Sequence, residues 1–261
     1  MKERENNKGL LARKILIEAL PKLAYKINIS EESQKRIDEI KENLGQNKDL
    51  NFIVYFNHIC YEDPWFVGHV VNMFDPKKTR HLVAPISYYH IKSKNVGDST
   101  LKSMEKLAGL CDVETIPIIQ AYQIKKPEKY HYTQEQANVT YAKLTNRLKE
   151  LKRNNIPTGF LISPEGTRSS DGVLGEAERG LPVFGRILGP VLFIPIGISY
   201  NQEFKRSKPN VFRSLNLEVG ESHLYKTGKD RQDVDFYMDM LAKTLPEEMR
   251  GKWAQMPEVR N

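Results

Sequence analysis

Residues 51–64 read NFIVYFNHICYEDP. The apolar run from Phe52 to Phe56 is strand-length and rich in β-branched and aromatic residues, which predicts a strand buried on both faces. The polar loop Asn57–Glu62 follows. Asp63 then stands where a helix N-cap belongs, with Pro64 at the first helical position of a helix running to Phe74. Strand, polar loop and helix in succession is the repeating unit of a parallel α/β fold.

The same alternation extends on either side. Strand-length apolar runs occur at His81–Ile86, Glu114–Ile119, Gly159–Ser163 and Val191–Ser199. Helical patterns lie near Ser99–Leu110, Thr133–Lys152, Glu176–Leu188 and Asp233–Leu245. Leu215, Leu217 and Val219 alternate with polar residues, as in an edge or one-faced strand. The predicted fold is α/β, with a mainly parallel central sheet flanked by helices, over residues 49–261. Residues 1–48 read as an N-terminal helical extension. In it Ser30–Asn43 forms a solvated helix capped by Ser30. Residues 9–27 place Leu10, Leu11, Ile15, Leu16, Leu20, Leu23 and Ile27 near helical spacing, interrupted by Pro21. Seven basic and three acidic residues up to position 27 suit either docking on an anionic membrane or packing on the domain core.

The 261-residue chain is 39% hydrophobic and 28% charged, which excludes a mainly disordered protein. Two cysteines, Cys60 and Cys111, exclude a disulfide framework and point to a reducing compartment. The longest unbroken candidate for a membrane span, Val191–Ile198, is eight residues long, far below a span's length. No signal-peptide core opens the chain, so a cytoplasmic location is expected, peripheral on the inner face of the membrane if the N-terminal residues dock there. The net charge of +7 suits an anionic partner or simple solubility.

The sequence lacks G-x-S-x-G, G-x-x-x-x-G-K-[ST] and G-x-G-x-x-G, the signatures of nucleophile elbows and nucleotide phosphate loops. Neither H-E-x-x-H nor C-x-x-C occurs, so no metal site is expected. Basic residues do not interleave with aromatics in a nucleic-acid-binding pattern. Two segments do carry chemistry. His58 stands at the end of a predicted strand, where open α/β sheets place ligands. A carboxylate five residues on can hold one ring nitrogen and leave the other as a base; alternatively, Asp63 only caps the helix. The second segment is Ser163-Pro164-Glu165-Gly166-Thr167-Arg168-Ser169, also at a strand end. Gly166 permits a tight turn and Arg168 can hold a phosphate through two parallel hydrogen bonds, or the stretch is an ordinary turn with an internal Glu–Arg pair.

Taken together, H-x-x-x-x-D and P-E-G-T-R about 100 residues later resemble the glycerolipid acyltransferase family. The similarity extends to Arg179-Gly180 and to Pro195 in FIPIGI, and covers residues 51–200. The resemblance implies phospholipid biosynthesis: transfer of a fatty acyl group from a thioester of coenzyme A or acyl carrier protein to a hydroxyl of 1-acylglycerol 3-phosphate, or of glycerol 3-phosphate. It assigns His58 as general base and Asp63 as its orienting partner, with Glu165, Gly166, Thr167 and Arg168 binding the acceptor. Asn57, Lys125, Lys126 and Arg179 are further candidate acceptor contacts. No cofactor or metal is implied beyond the acyl thioester co-substrate. One departure concerns the family's arginine at the end of the strand between the motifs. Here Glu114–Tyr122 offers Gln120 or Tyr122 at that place, with Lys125 and Lys126 close in sequence. Ser163 replaces a common aromatic. Two rivals remain: a non-catalytic lipid- or carrier-binding protein, and a thioesterase using Cys60 as nucleophile. With His58 as base, Cys60→Ala is expected to leave transfer nearly intact.

Overall fold

The computed structural model describes residues 25–60, 62–77, 79–88, 108, 112–200, 214–226, 228–230 and 232–255. In chain order the elements are β1 (Lys26–Ile29), α1 (Glu31–Gln46), β2 (Asn51–Phe56), α2 (Asp63–Phe74), β3 (His81–Ser87), β4 (Val113–Ile118), the short helices α3 (Ala121–Ile124) and α4 (Pro127–Tyr130), α5 (Gln134–Arg153), β5 (Thr158–Ile162), α6 (Leu181–Leu188), β6 (Val191–Tyr200), β7 (Ser214–Val219), β8 (His223–Tyr225) and α7 (Val234–Ala242). Eight strands form one sheet in the order β1-β7-β6-β2-β5-β3-β4, with β8 also pairing β6. Every pairing is parallel except β6 with β7 and β6 with β8. The fold is thus a mixed, mostly parallel sheet with helices on both faces.

β2 is central and wholly buried. The two-residue period of a strand sends Phe52, Val54 and Phe56 to one face, against Phe66, Val70 and Phe74 of α2 and Ile37, Ile40 and Leu44 of α1. Ile53 and Tyr55 face the other side, with Leu144 and Leu148 of α5, Phe184 of α6 and Tyr237 of α7. A buried asparagine stands at each end of β2. Asn51 donates to Leu188 O (2.6 Å) and accepts from Thr158 N (2.7 Å). Asn57 donates to Ile198 O (2.9 Å) and accepts from Ile198 N (2.8 Å). Each amide completes backbone pairing that the strand's ends would otherwise leave open.

Residues 25–48 depart from the expected extension. β1 adds a parallel strand to β7, and α1, capped by Ser30 as expected, buries Ile37, Ile40 and Leu44 on the sheet. The spacing i, i+3, i+7 gives α1 the apolar stripe that its many charges obscure. Ile27, counted with the amphipathic pattern, lies in β1. The rest of that pattern, the helix at Ser99–Leu110 and Cys111 fall almost wholly outside the described residues. β7 is one-faced and interior, lying between β1 and β6. The helix expected from Glu176 starts at Leu181.

Arg80 illustrates how polar groups hold this half of the fold. The residue is 5% exposed, and its guanidinium donates to Leu50 O (3.0 Å), Leu44 O (2.9 Å) and Asn47 O (2.9 Å), closing the carbonyl end of α1. Removing it takes this donor from the buried carbonyls of Leu44 and Leu50. Arg80→Ala is expected to lower unfolding free energy by about 3 kcal/mol, measured by denaturant titration. A loss below about 1 kcal/mol would show that water replaces the guanidinium.

Candidate active site

β2 and β5 are adjacent and parallel, with Tyr55 opposite Ile162. The loops that leave their carboxyl ends must therefore run side by side, which brings residues 57–63 against 163–169 despite their separation in sequence. His58 lies between them. Its backbone N donates to Glu165 Oε2 (2.8 Å), and its backbone O accepts from Ser169 N (2.7 Å). The residue is held from both sides by the second loop.

The imidazole is one-quarter exposed, and its Nδ1 lies 2.9 Å from Asp63 Oδ2. A carboxylate oxygen accepts, so Nδ1 carries the proton and the Nε2 lone pair is left to accept one. The Phe56 ring meets the imidazole edge-on, with centroids 6.4 Å apart. Asp63 is fully buried. The helix begins at Asp63 itself, with Glu62 at the cap position and no side-chain cap bond. The carboxylate of Asp63 instead turns back over the loop, where Oδ2 also accepts from Ile59 N (2.6 Å) and Cys60 N (2.8 Å). Capping the helix and facing His58 were alternatives in the sequence; Asp63 makes no cap bond to α2 and lies against Nδ1 and the loop amides.

Glu165, expected at the acceptor, is turned toward backbone groups. Its carboxyl is 6% exposed, and both oxygens face backbone donors, Oε2 to His58 N and Oε1 to Gly175 N (2.9 Å). Burial pushes its pKa up to about 7, against the downward pull of those two N–H groups. Asn57, also expected at the acceptor, is buried and spent on β6. Gly166 closes the turn with φ +65°, a conformation that favours glycine, and its N–H donates to Ser163 O (3.2 Å). Thr167 is exposed and Arg168 half-buried beside it. Lys125, Lys126 and Arg179 are exposed, the lysines between α3 and α4 and Arg179 just before α6.

Tyr122 joins the site from the segment after β4. Its hydroxyl bonds to Thr167 and to Ser87 at the end of β3, and burial raises its pKa, so it remains a neutral phenol. Of the two residues near the place where the resemblance expects an arginine, Tyr122 thus brings a hydroxyl to the E-G-T-R turn, while Gln120 caps α3.

Tyr200 was not singled out from the sequence. Its hydroxyl lies 2.9 Å from Cys60 Sγ, which donates to Asp63 Oδ1 (2.8 Å). Burial, reinforced by Asp63, pushes the Cys60 thiol far above its ordinary range. Such a thiol keeps its proton and is a poor nucleophile. Among the described residues no three His, Cys, Asp or Glu side chains gather as metal ligands. A separate cleft opens by Ser199, Asn216, Glu218 and Thr244, and shares no residue with this site. Its cations are engaged, Arg36 with Glu32 and Lys243 with Asp239.

No protein-family model matches the chain, and no curated protein matches it in sequence. Among solved structures it is similar to the 1-acyl-sn-glycerophosphate (LPA) acyltransferase, PlsC, from Thermotoga maritima, at 14% identity and a TM-score of 0.43, over 87% of this chain and 72% of that one.

Proposed function

We propose that the chain is an O-acyltransferase that moves a fatty acyl group from a coenzyme A or acyl-carrier-protein thioester to a hydroxyl of a glycerolipid precursor, with 1-acylglycerol 3-phosphate as first candidate acceptor. The observation that carries this reading is the Nδ1-anchored His58, clamped by the E-G-T-R loop at both its backbone N–H and C=O. Nε2 takes the acceptor's hydroxyl proton as the oxygen attacks the thioester carbonyl. A new C–O bond forms, the C–S bond breaks, and the imidazolium returns its proton to the leaving thiolate. A thioester is already activated, so an oriented base and oxyanion donors suffice. The amides of His58, Ile59 and Cys60 are engaged by Glu165 and Asp63, so those donors come from other groups.

Arg168 supplies a cation for an acceptor phosphate, and Lys125, Lys126 and Arg179 are exposed cations of the same sign. No helix among the described residues is long and apolar enough to cross a membrane. In this reading the basic N-terminal residues bring the protein to a lipid surface. The buried, protonated Cys60 weighs against a thioesterase that uses it as nucleophile. The test is thiol release from palmitoyl-coenzyme A and from an acyl-carrier-protein thioester. Each donor is offered no acceptor, soluble glycerol 3-phosphate, or 1-acylglycerol 3-phosphate in anionic or neutral vesicles. Release that needs one acceptor, with formation of the acylated product, is expected. Release without acceptor would replace the reading by a thioesterase, and absence of release from every pair would replace it by a binding role.

A further inference from the structure

We propose that Cys60 and Tyr200 are positioning residues for the His58–Asp63 pair, linked in a directed chain from the Tyr200 hydroxyl through the Cys60 thiol to Asp63 Oδ1. The proposal rests on the reading of His58 as general base.

The direction of the chain follows from proton counting. Asp63 Oδ2 faces His58 Nδ1, Ile59 N and Cys60 N, and three donors on one oxygen favour the ionised carboxylate. Oδ1 is equally buried and faces the Cys60 sulfur at 2.8 Å. A carboxylate has no proton to give, so the thiol donates. Its one proton is then spent, and at the 2.9 Å contact with Tyr200 the sulfur can only accept. The phenol therefore donates. Burial raises both the thiol and the Tyr200 hydroxyl far beyond their ordinary ranges, so neither proton leaves near neutral pH. Hydrogen bonds aligned head to tail polarise one another, and each strengthens the next.

The mechanical consequence lies in where the members are fixed. Tyr200 ends β6, Cys60 sits in the loop after β2, and Asp63 opens α2. The thiol holds the carboxylate on the side opposite His58. Without it, Oδ1 is a buried anionic oxygen lacking a donor, and its most direct relief is rotation toward another one. Rotation would pull Oδ2 from Nδ1. Other ionisable groups in electrostatic contact with the pair are Glu62 and Tyr25, themselves hydrogen-bonded, and Glu165 from beyond β5.

The sequence alone predicts that Cys60→Ala is nearly silent; the chain predicts that it is not. The experiment follows the His58 imidazole by NMR titration in the full-length wild type, Cys60→Ala, Cys60→Ser and Tyr200→Phe, with the His58→Ala spectrum identifying its signal. In Cys60→Ala the carboxylate turns off Nδ1, and the His58 midpoint is expected to fall by about half a pH unit. The low-pH limb of kcat/KM moves down with it and kcat falls about tenfold, with the acceptor KM unchanged. Cys60→Ser retains a donor and restores both, while Tyr200→Phe gives a smaller shift in the same direction. His58 titrating alike in the wild type and in folded Cys60→Ala would overturn the proposal. So would Cys60→Ser behaving as Cys60→Ala, because the sulfur's volume would then be what matters. If the wild type transfers no acyl group, the base reading fails on its own, and the titration still decides whether Cys60 and Tyr200 hold the pair.

Discussion

Replacing His58 with alanine is expected to reduce acyl transfer by about 10³-fold while leaving the thermal midpoint near that of the wild type. The chemical loss is large because the imidazole is anchored through Nδ1 and keeps a lone pair on Nε2. The structural loss is small because the side chain is one-quarter exposed, and the clamp from the E-G-T-R loop grips its backbone. Alanine keeps that backbone. Asp63→Asn should lose nearly as much activity, for a different reason. An amide presents one oxygen where Asp63 presents two acceptors to four donors, so the tautomer and the loop are disturbed together. Steady-state rates with both donors, beside melting curves, separate the two: a lowered midpoint belongs to Asp63→Asn and not to His58→Ala. Retention of more than a tenth of wild-type transfer by His58→Ala would remove the base from the mechanism.

The part of this arrangement legible in the sequence was the part set by short-range pattern. An apolar run with β-branched and aromatic residues names a buried strand, and the residues at its end then fall at the ligand-bearing edge of the sheet. His58, Asp63 and the E-G-T-R turn were found that way, and the β2–β5 register explains why two distant loops meet. What stayed hidden depends on which way a side chain points. Glu165 and Asn57 are polar residues beside a presumptive base, and only the fold reveals that both face inward to backbone groups. Tyr200 is the last residue of a long strand, and no spacing rule links it to a cysteine 140 positions earlier. β1 is four residues long, too short for its alternation to compete with the helical pattern of the residues before it.

Glu165→Gln carries the second large effect, and it tests whether this residue acts on the acceptor or on the scaffold. In the wild type the carboxyl receives two N–H groups, from His58 and Gly175. Glutamine offers one oxygen and one amide group, so one of these buried N–H donors faces another donor. The expected loss is about 2 kcal/mol of stability, and about 10²-fold in kcat as His58 drifts from the E-G-T-R loop. An acceptor-binding role predicts the opposite pattern, a raised acceptor KM with stability untouched. The pH dependence gives an independent reading. The folded protein holds the Glu165 proton up to about 7, whereas an unfolded glutamate releases it near 4.5. Between those values the folded state binds more protons, so this contribution to stability is full below about 4.5 and is lost as pH rises through about 7. Glutamine does not titrate. The stability difference between wild type and Glu165→Gln should therefore shrink from pH 5 to pH 8, as followed by denaturant unfolding at each pH. A difference constant across that range would place the carboxyl in contact with water, and with it the scaffold role would fall.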